Sequence, residues 1–440
     1  MSHPNYLRLA KRLNVSIWLL AITLFAVHLF VVLGYSINLP FWDDWDALRP
    51  GHLDRALSWK WLVAFHNTHR NVFTHLSIWI LYRLNGWNLN AHIAANFVLY
   101  TLLSAATIRY LERVFSTNLA VWLLFPASAI ADEVHNHAFN NCWTFYVLFF
   151  FLSLALVFRR DRLSWFAVVA SVASTYAAGS GWLCSLAFVF LSLALALLRR
   201  DHWKSHLLQA AATSAFLALW FIGYPSQSEP LVMPWTQLFW RHFGNLLALG
   251  LGYHRISELP GLLFFAGVIT LAVFEGRQAI RSKEIDRIEK WLLLTTALGG
   301  IFLASGAISI ARGWAEAHGA KSGRYALAVL FCPPLAWIML RQYLNGRLTS
   351  ETGKAVIWVA AGALLLAPLV TEFEYRKVYR PAGERRLDGV RCVREGLLRG
   401  KPAYCESINP YGADSAAIFE ARARELRLNY LSEQSPAPLP

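Results

Sequence analysis

Apolar runs long enough to cross a lipid bilayer recur along most of this chain, and they constrain its fold more than any other feature. A transmembrane helix needs about 20 predominantly apolar residues. Only 15% of the residues are charged, against roughly a quarter in a soluble domain. We therefore predict an all-α polytopic membrane protein with about 11 transmembrane helices, at 15–36, 89–108, 117–131, 142–158, 163–179, 182–198, 206–223, 258–274, 291–310, 325–340 and 355–371.

The positions of Lys and Arg predict how these helices are oriented. Short cytoplasmic loops carry an excess of basic residues, and here the excess lies at the N-terminus and at 109–113, 159–162, 199–204, 276–290 and 341–354. We expect an uncleaved first span, the N-terminus inside and the C-terminus outside. The formal net charge of +14 belongs mostly to these loops and the C-terminal tail, where it suits contact with anionic membrane lipids. No nucleic-acid-binding module is visible, and we expect no nucleic-acid partner.

Two polar segments interrupt the apolar pattern. The first outside loop, 38–88, contains a stretch at 59–84 with apolar residues at helical spacing. This spacing predicts one or two amphipathic helices that lie at the membrane interface. The second polar segment, 372–440, predicts a small soluble cap rather than a catalytic domain. The chain thus divides into a transmembrane domain, 1–371, and this C-terminal region.

Five cysteines are present, and two of them are informative. Cys392 and Cys405 lie in the polar C-terminal region without the spacing of a metal site. In an oxidising compartment they would close a short disulfide loop, worth roughly 3 kcal/mol by the loop-entropy relation. Cys142, Cys184 and Cys332 lie in apolar context, where packing is their expected role.

Three aspartates, Asp43, Asp44 and Asp46, stand at the start of the first outside loop, among aromatic residues. A carboxylate that is partly desolvated there has its pKa raised toward the range of a general base. Aromatic walls around it favour a pocket that stacks on sugar rings. The alternative is that the acids are solvated at a helix end, with Asp44 capping the next helix.

This acidic motif, followed by an amphipathic loop helix, resembles the GT-C glycosyltransferases of bacterial membranes. The resemblance is to an uncharacterised branch near the glucosyltransferase-like proteins of O-antigen modification. Besides the aspartates and the two-cysteine tail, the segments that carry it are FHNTHRNVFTHL (65–76), HAFNNCWTFYVLFF (137–150), GSGWLCSLA (179–187) and SGRYALAVL (322–330). It implies a GT-C-like fold in the bacterial inner (cytoplasmic) membrane, with the first loop and the C-terminal cap in the periplasm.

The resemblance also implies an activity. Enzymes of this superfamily move a sugar from a polyprenyl-phosphate carrier to a lipid, glycan or protein acceptor on the outer side of the membrane. A carboxylate of the first loop acts as general base, which maps onto Asp44 or Asp43. We favour Asp44, although spacing alone does not separate the two. Thr68 stands where the related pattern has an acid before His-Arg, so a second carboxylate is left to Asp46 or Glu133.

A polyprenyl phosphate needs cations on the same side as the acids. Arg324 begins a predicted span, which places its guanidinium at headgroup depth, where bidentate contact with a phosphate is favourable. The alternative is that such arginines extend to lipid headgroups, as basic residues near helix ends often do. The predicted substrate- and phosphate-binding residues are Asp46, His66, His69, Arg70, Glu133, Arg312, Lys321, Arg324 and Tyr325.

A divalent cation is compatible with the acids but is not required by them. Hard carboxylates suit Mg²⁺ or Mn²⁺, and the candidate ligands are Asp43, Asp44 and Glu133. Glu133 lies in a second outside loop with His135 and His137, a pattern that offers only poor support for zinc. A plain polar turn explains that loop as well, and the cofactor stays open between a divalent cation and none.

Other functions at a membrane remain open. A transporter or flippase of lipid-linked glycans would show paired broken helices and charges at mid-membrane, whereas the acids here gather at one face. An O-antigen ligase or polymerase uses the same kind of donor with arginines and a histidine in a later loop. That interpretation is kept open by Arg241, His242, His254 and Arg255. A membrane scaffold without enzymatic activity is the third alternative.

Overall fold

The computed structural model describes residues 3–36, 38–127, 137–159, 161–225, 230–252, 256–315, 319–344, 362, 387–389, 391–392, 395, 405 and 413–428. In these residues the regular structure is helical apart from one two-stranded antiparallel hairpin. The α-helices are α1 His3–Tyr35, α2 Trp59–Leu62, α3 Val72–Asn85, α4 Leu89–Phe115, α5 Asn141–Val157, α6 Phe166–Thr175, α7 Gly181–Leu198, α8 Trp203–Trp220, α9 Gln237–Gly250, α10 Leu259–Ser282, α11 Ile285–Arg312, α12 Gly323–Val329, α13 Cys332–Leu344 and α14 Ala413–Leu426. The strands are β1 Phe65–His66 and β2 His69–Arg70.

Several of these helices are long and apolar enough to cross a membrane. The described part of the chain contains six, Asn14–Gly34, Leu89–Phe115, Gly181–Leu198, Leu259–Ser282, Ile285–Ala315 and Gly323–Leu344. The structure thus agrees with an all-α membrane protein, while the total of about 11 spans stays a prediction. The predicted span at 163–179 forms the end of a 3₁₀ helix, Arg162–Trp165, and the 10-residue helix α6, and 355–371 lies outside the described residues except for 362.

The predicted span at 117–131 is not a continuous helix in its described part. Ala120–Leu124 is a short 3₁₀ helix, followed by a turn to residue 127. Polar contacts hold this segment against α4. The Glu112 carboxylate accepts a hydrogen bond from the Leu119 N–H at 2.9 Å, and the Tyr100 hydroxyl donates to the Pro126 carbonyl at 2.7 Å. The segment is apolar because it is buried against other helices, not because it crosses the membrane as one helix. The hydrogen bonds to Glu112 and Tyr100 hold the chain in a turn there.

Small residues allow the central helices to approach closely. Gly261 of α10 lies against the backbone of Gly244 in α9, so a side chain at Gly261 would overlap that helix. Gly300 of α11 faces the ring of Phe150 in α5 in the same way. Close approach through small residues is how membrane helices gain packing energy, since lipid is as apolar as their side chains.

The first loop and the C-terminal region share one hydrophobic cluster. Trp45 stacks on Phe419 of α14, with ring centroids 5.8 Å apart. Arg422 of α14 donates to the Leu53 carbonyl at 2.9 Å. A disulfide joins Cys392 and Cys405, the pair suggested by the sequence, with Cα atoms 5.9 Å apart. The C-terminal region therefore packs against the segment that carries the aspartates.

Candidate functional site

A short 3₁₀ helix, Trp42–Leu48, carries all three aspartates. Side chains three residues apart eclipse one another in a 3₁₀ helix. Asp43 and Asp46 therefore lie on one face, whereas Asp44 points about 120° away from them. The three carboxylates consequently meet different surroundings, although they are neighbours in sequence.

Asp44, the base favoured from the sequence, is buried and held by the backbone. One of its carboxylate oxygens accepts the N–H of Phe139 at 2.8 Å, and the other accepts the N–H of Phe41 at 3.2 Å. These two bonds tie the 3₁₀ helix to the turn that precedes α5. The Asp44 carboxylate thus connects two segments of the fold, and 1% of the residue is exposed.

Asp46 and Asp43 meet on His66, which ends strand β1. The His66 Nδ1 lies 3.2 Å from an Asp46 oxygen, and its Nε2 lies 3.6 Å from an Asp43 oxygen. Asp46 also pairs with Arg49 at 2.9 Å. His52 donates to the Asp46 carbonyl at 2.7 Å and lies 3.5 Å from its carboxylate. Asp46 is therefore enclosed by basic side chains, whereas the Asp43 side chain is 35% exposed.

The charges in this group shift one another's pKa values. Burial of the His66 ring opposes its protonation, but Asp43 and Asp46 outweigh burial and raise the His66 pKa to about 9. Burial likewise opposes ionisation of the two acids. Contact with His52 and His66 nevertheless holds the Asp46 pKa far below its usual range. Against the same effect of burial, His66, with help from Arg324 and His137, lowers the Asp43 pKa. Asp43, Asp46 and His66 are therefore all ionised at neutral pH.

His69 pairs with His66 across the hairpin but carries no charge at neutral pH. Burial, reinforced by the nearby His66 charge, lowers the His69 pKa to about 4. The charge of Arg312 acts on His69 in the same direction, which places the end of α11 near the hairpin. The ring lies directly against Gly179, where a Cβ would overlap it. His69 is thus a neutral hydrogen-bonding group, not a cation for a phosphate.

Arg70 serves the fold rather than the aspartates. Its guanidinium donates to the carbonyls of Val63 and Ile222, both at 2.6 Å, and of Trp220 at 3.4 Å. Its Cζ lies 3.9 Å from the centroid of the Phe65 ring. These contacts fix the hairpin to the C-terminal end of α8. The structure therefore does not bring Arg70 to the carboxylates, where the sequence predicts it.

Arg324 approaches the aspartates from α12. Its charge contributes to lowering the Asp43 pKa, so the two groups are near enough to interact electrostatically. The guanidinium carbon lies 5.2 Å from the Tyr325 ring centroid, and Tyr325 packs edge-on against Trp143 of α5 at 5.2 Å. Lys321, just before α12, is buried, and burial lowers its pKa to about 7. Of these two basic residues proposed for a phosphate, Arg324 is thus the one whose charge acts on Asp43.

The remaining proposed residues add nothing to this group in the part of the chain that the structure describes. Four of them lie outside the described residues, Glu133, His135, His254 and Arg255. His242 is buried on α9, where its Nδ1 donates to the Ser309 hydroxyl at 3.0 Å, because the Ser309 proton goes to the Ser305 carbonyl. The neighbouring Arg241 is exposed.

The described residues contain no group of three or more His, Cys, Asp or Glu side chains that is arranged to hold a metal ion. The surroundings of the proposed ligands agree with this. Asp44 has both oxygens engaged by backbone N–H groups, and Asp43 faces the cations His66 and Arg324. A further ligand, Glu133, belongs to the segment that is not described.

Sequence reasoning missed several parts of the site. His52 binds the carbonyl of Asp46, and the N–H of Phe139 binds Asp44. The sequence suggests His137 only as poor support for zinc, and it does not reveal that this ring packs on Phe41, with ring centroids 4.8 Å apart. The segment HAFNN around Phe139 is recognisable as a motif, but sequence assigns no role to a backbone N–H. No periodicity links His52 to Asp46, since the chain bends between them.

No protein-family model, curated protein or solved structure matches this chain. The site must therefore be interpreted from its own geometry. It combines the partly exposed carboxylate of Asp43 with the charged ring of His66. The neutral His69 and the charge of Arg324 lie near enough to interact with them. Such a set can accept a proton from one group while it stabilises negative charge on another.

Proposed function

We propose that this protein is a membrane glycosyltransferase. It would move a sugar from a polyprenyl-phosphate carrier to a lipid, glycan or protein acceptor, on the periplasmic side of a bacterial inner membrane. The observation that supports the proposal is Asp43, a partly exposed carboxylate near enough to Arg324 to interact with its charge, in a chain with several membrane-type helices. A donor with an apolar tail and an anionic headgroup needs both features.

Asp43 is the better general base of the two aspartates considered. The two oxygens of Asp44 already accept hydrogen bonds from backbone N–H groups. Protonation of Asp44 would therefore disrupt at least one of these hydrogen bonds. Asp43 has an exposed portion of its carboxylate and stays ionised, because its neighbours lower its pKa against the effect of burial. A base of this kind takes the proton late, after the acceptor hydroxyl has begun to bond to the sugar and has become more acidic.

The transfer is an inverting displacement. The acceptor oxygen attacks the anomeric carbon, the bond from that carbon to the phosphate oxygen breaks, and the hydroxyl proton passes to Asp43. The carrier leaves as a polyprenyl phosphate with one more negative charge. Arg324 and Lys321 are the described basic residues placed to stabilise that charge, and Arg312 lies near the hairpin on the same side. Tyr325, one of the residues predicted from the sequence to bind substrate, is buried and packs edge-on against the buried Trp143.

Transfer of radiolabelled sugar from synthetic polyprenyl-phosphate donors into lipid and glycan extracts tests this proposal. Purified wild-type protein in nanodiscs should transfer label, and Asp43→Asn should lose nearly all transfer while it stays folded. Arg241→Gln is the matched control for the ligase or polymerase alternative, since Arg241 is exposed on α9. Transfer that survives in Asp43→Asn but is lost in Arg241→Gln would favour that alternative. Absence of transfer from every donor by folded protein would reject the proposal.

A further inference from the structure

His66 lies between two carboxylates that belong to one turn of helix. Asp43 and Asp46 are three residues apart, so the 3₁₀ geometry aims both at the same side. Each nitrogen of the His66 ring faces one of them, at 3.6 Å for Asp43 and 3.2 Å for Asp46. The ring is buried, and it packs against Phe139 with centroids 4.4 Å apart. The arrangement is an ionic triad, Asp43–His66–Asp46.

We propose that His66 is a positioning residue, which as an imidazolium holds Asp43 ionised and aimed into the site. This inference rests on the proposed function for its catalytic meaning, but the charge state of the triad can be tested without it. Both ring nitrogens must carry protons to serve two carboxylates. The Asn67 Nδ2 lies 3.2 Å from Nε2, so a ring protonated at Nε2 requires the Asn67 amide to be turned with its oxygen toward the ring.

Among His66, His69 and His75, the surroundings of the triad favour a charge on His66 alone. Two neighbouring carboxylates without a cation would repel each other, and one imidazolium between them removes that repulsion. His69 and His75 are close enough to feel the charge of His66, and both have pKa values lowered to about 4, first by burial and then by that charge. Other titratable or charged groups that act on the triad are Arg49, His52, His137, Cys142 and Arg324.

Asp46 is the carboxylate of the triad whose position is fixed by further contacts. It is held by Arg49 and His52 as well as by His66, so its position does not depend on Asp43. His66 therefore connects a fixed carboxylate to a partly exposed one. A ring held in this way keeps Asp43 from turning toward solvent or taking a proton before substrate arrives.

The first test is the charge of the ring. Nitrogen NMR of full-length protein in nanodiscs, with isotopically labelled histidine, should show one imidazolium that persists at pH 8 and disappears in His66→Gln. In Asp46→Asn that signal should titrate at lower pH. A neutral His66 at pH 7 would overturn the inference, whether or not the protein transfers sugar.

The second test is the pH dependence of transfer. His66→Gln keeps a polar side chain but removes the charge that lowers the Asp43 pKa. The acid limb of the pH–rate profile, which reports the protonation of Asp43, should therefore move to higher pH. A shift of about one unit lowers the rate roughly tenfold at pH values below the limb, with recovery at higher pH. His75→Gln, which removes a buried histidine whose Nδ1 bonds the Leu62 carbonyl, should leave the limb in place. A purely structural His66 would lower the rate equally at all pH values, and that result would overturn the inference.

The two tests distinguish a failure of the proposed glycosyltransferase activity from a failure of the triad. A persistent imidazolium with no transfer from any donor rejects the glycosyltransferase proposal and keeps the triad. Transfer that needs Asp43, together with a neutral His66, rejects the triad and keeps the glycosyltransferase.

Discussion

Asp43, Asp44 and Asp46 show how strongly the local helix type decides what a carboxylate does. On one turn of 3₁₀ helix, Asp43 and Asp46 share a face and a histidine, while Asp44 turns toward backbone N–H groups. Trp42 begins this turn with a φ of 51°, in the left-handed region that is costly for a residue with a side chain. Such backbone strain persists only where surrounding contacts fix it.

Asp44→Asn should destabilise the protein, since an amide offers one oxygen where the carboxylate offers two. One buried N–H, of Phe41 or Phe139, would lose its acceptor, at a cost of about 1–3 kcal/mol. Asp43→Asn leaves His66 paired with Asp46 and changes a side chain that is 35% exposed, so it should cost less stability than Asp44→Asn. Thermal unfolding of both variants, with monodispersity in detergent, measures the difference. Equal unfolding temperatures for Asp44→Asn and wild type would contradict the structural role of Asp44.

Alkaline pH should weaken the triad. The His66 pKa is raised from 6.5 to about 9, so its stabilising contribution is complete below about pH 6.5 and is lost as the pH rises through about 9. Its size is on the order of 3 kcal/mol. The gap in unfolding temperature between wild type and His66→Gln should therefore be largest near pH 6.5 and should shrink by about pH 10. A gap that stays constant over this range would contradict the charged ring.

At the scale of elements, the sequence predicts the helices better than their connections. Apolar length identifies Leu89–Phe115, Gly181–Leu198 and Leu259–Ser282 as membrane-type helices, and α3 lies in the loop where an amphipathic helix is expected. The hairpin at 65–70 falls within the stretch predicted as helical, because its apolar and polar residues also fit a helical period. Asn67, with a φ of 51°, makes the tight turn that such a pattern does not reveal.

The same limit applies to the site. The acid cluster at 43–46 is visible in sequence, because charges are rare in an apolar chain. The split of roles between Asp43 and Asp44 is not, since it depends on helix type and on a distant backbone N–H. Arg70 has the right charge, yet carbonyls that are remote in sequence engage it.

The turn before α7 depends on a glycine that faces the hairpin. In Gly179→Ala the new methyl group would overlap the His69 ring, so the hairpin or the turn must shift. Overpacking of this kind costs about 1–3 kcal/mol, and it should lower both the unfolding temperature and transfer. Gly299→Ala is the matched control, because nothing described lies within 4 Å of its Cβ position and alanine favours the helix. Equal behaviour of the two variants would contradict this contact.

For the whole molecule, the docking of the C-terminal region places that region and the first loop at the same end of the helical bundle. Trp45 and Phe419 lie within their shared hydrophobic cluster, and Arg422 binds the Leu53 carbonyl beside it. The N-terminal helix α1 leads into the first loop from the opposite end. An N-terminus inside the cell therefore implies a C-terminal region outside, where a disulfide between Cys392 and Cys405 is stable.

This docking should stabilise the aspartate-bearing helix, and α14 offers a matched pair of variants to test it. Phe419 is 3% exposed against Trp45, whereas Ile418 is 48% exposed on the same helix. Phe419→Ala removes a buried aromatic ring at a cost of about 3–5 kcal/mol, so hydrogen exchange of the segment 41–48 should accelerate strongly. Ile418→Ala should leave that exchange near the wild-type rate. Since the 3₁₀ helix positions Asp43, transfer should fall with Phe419→Ala alone. Similar exchange rates in the two variants would mean that the C-terminal region covers the site without supporting it.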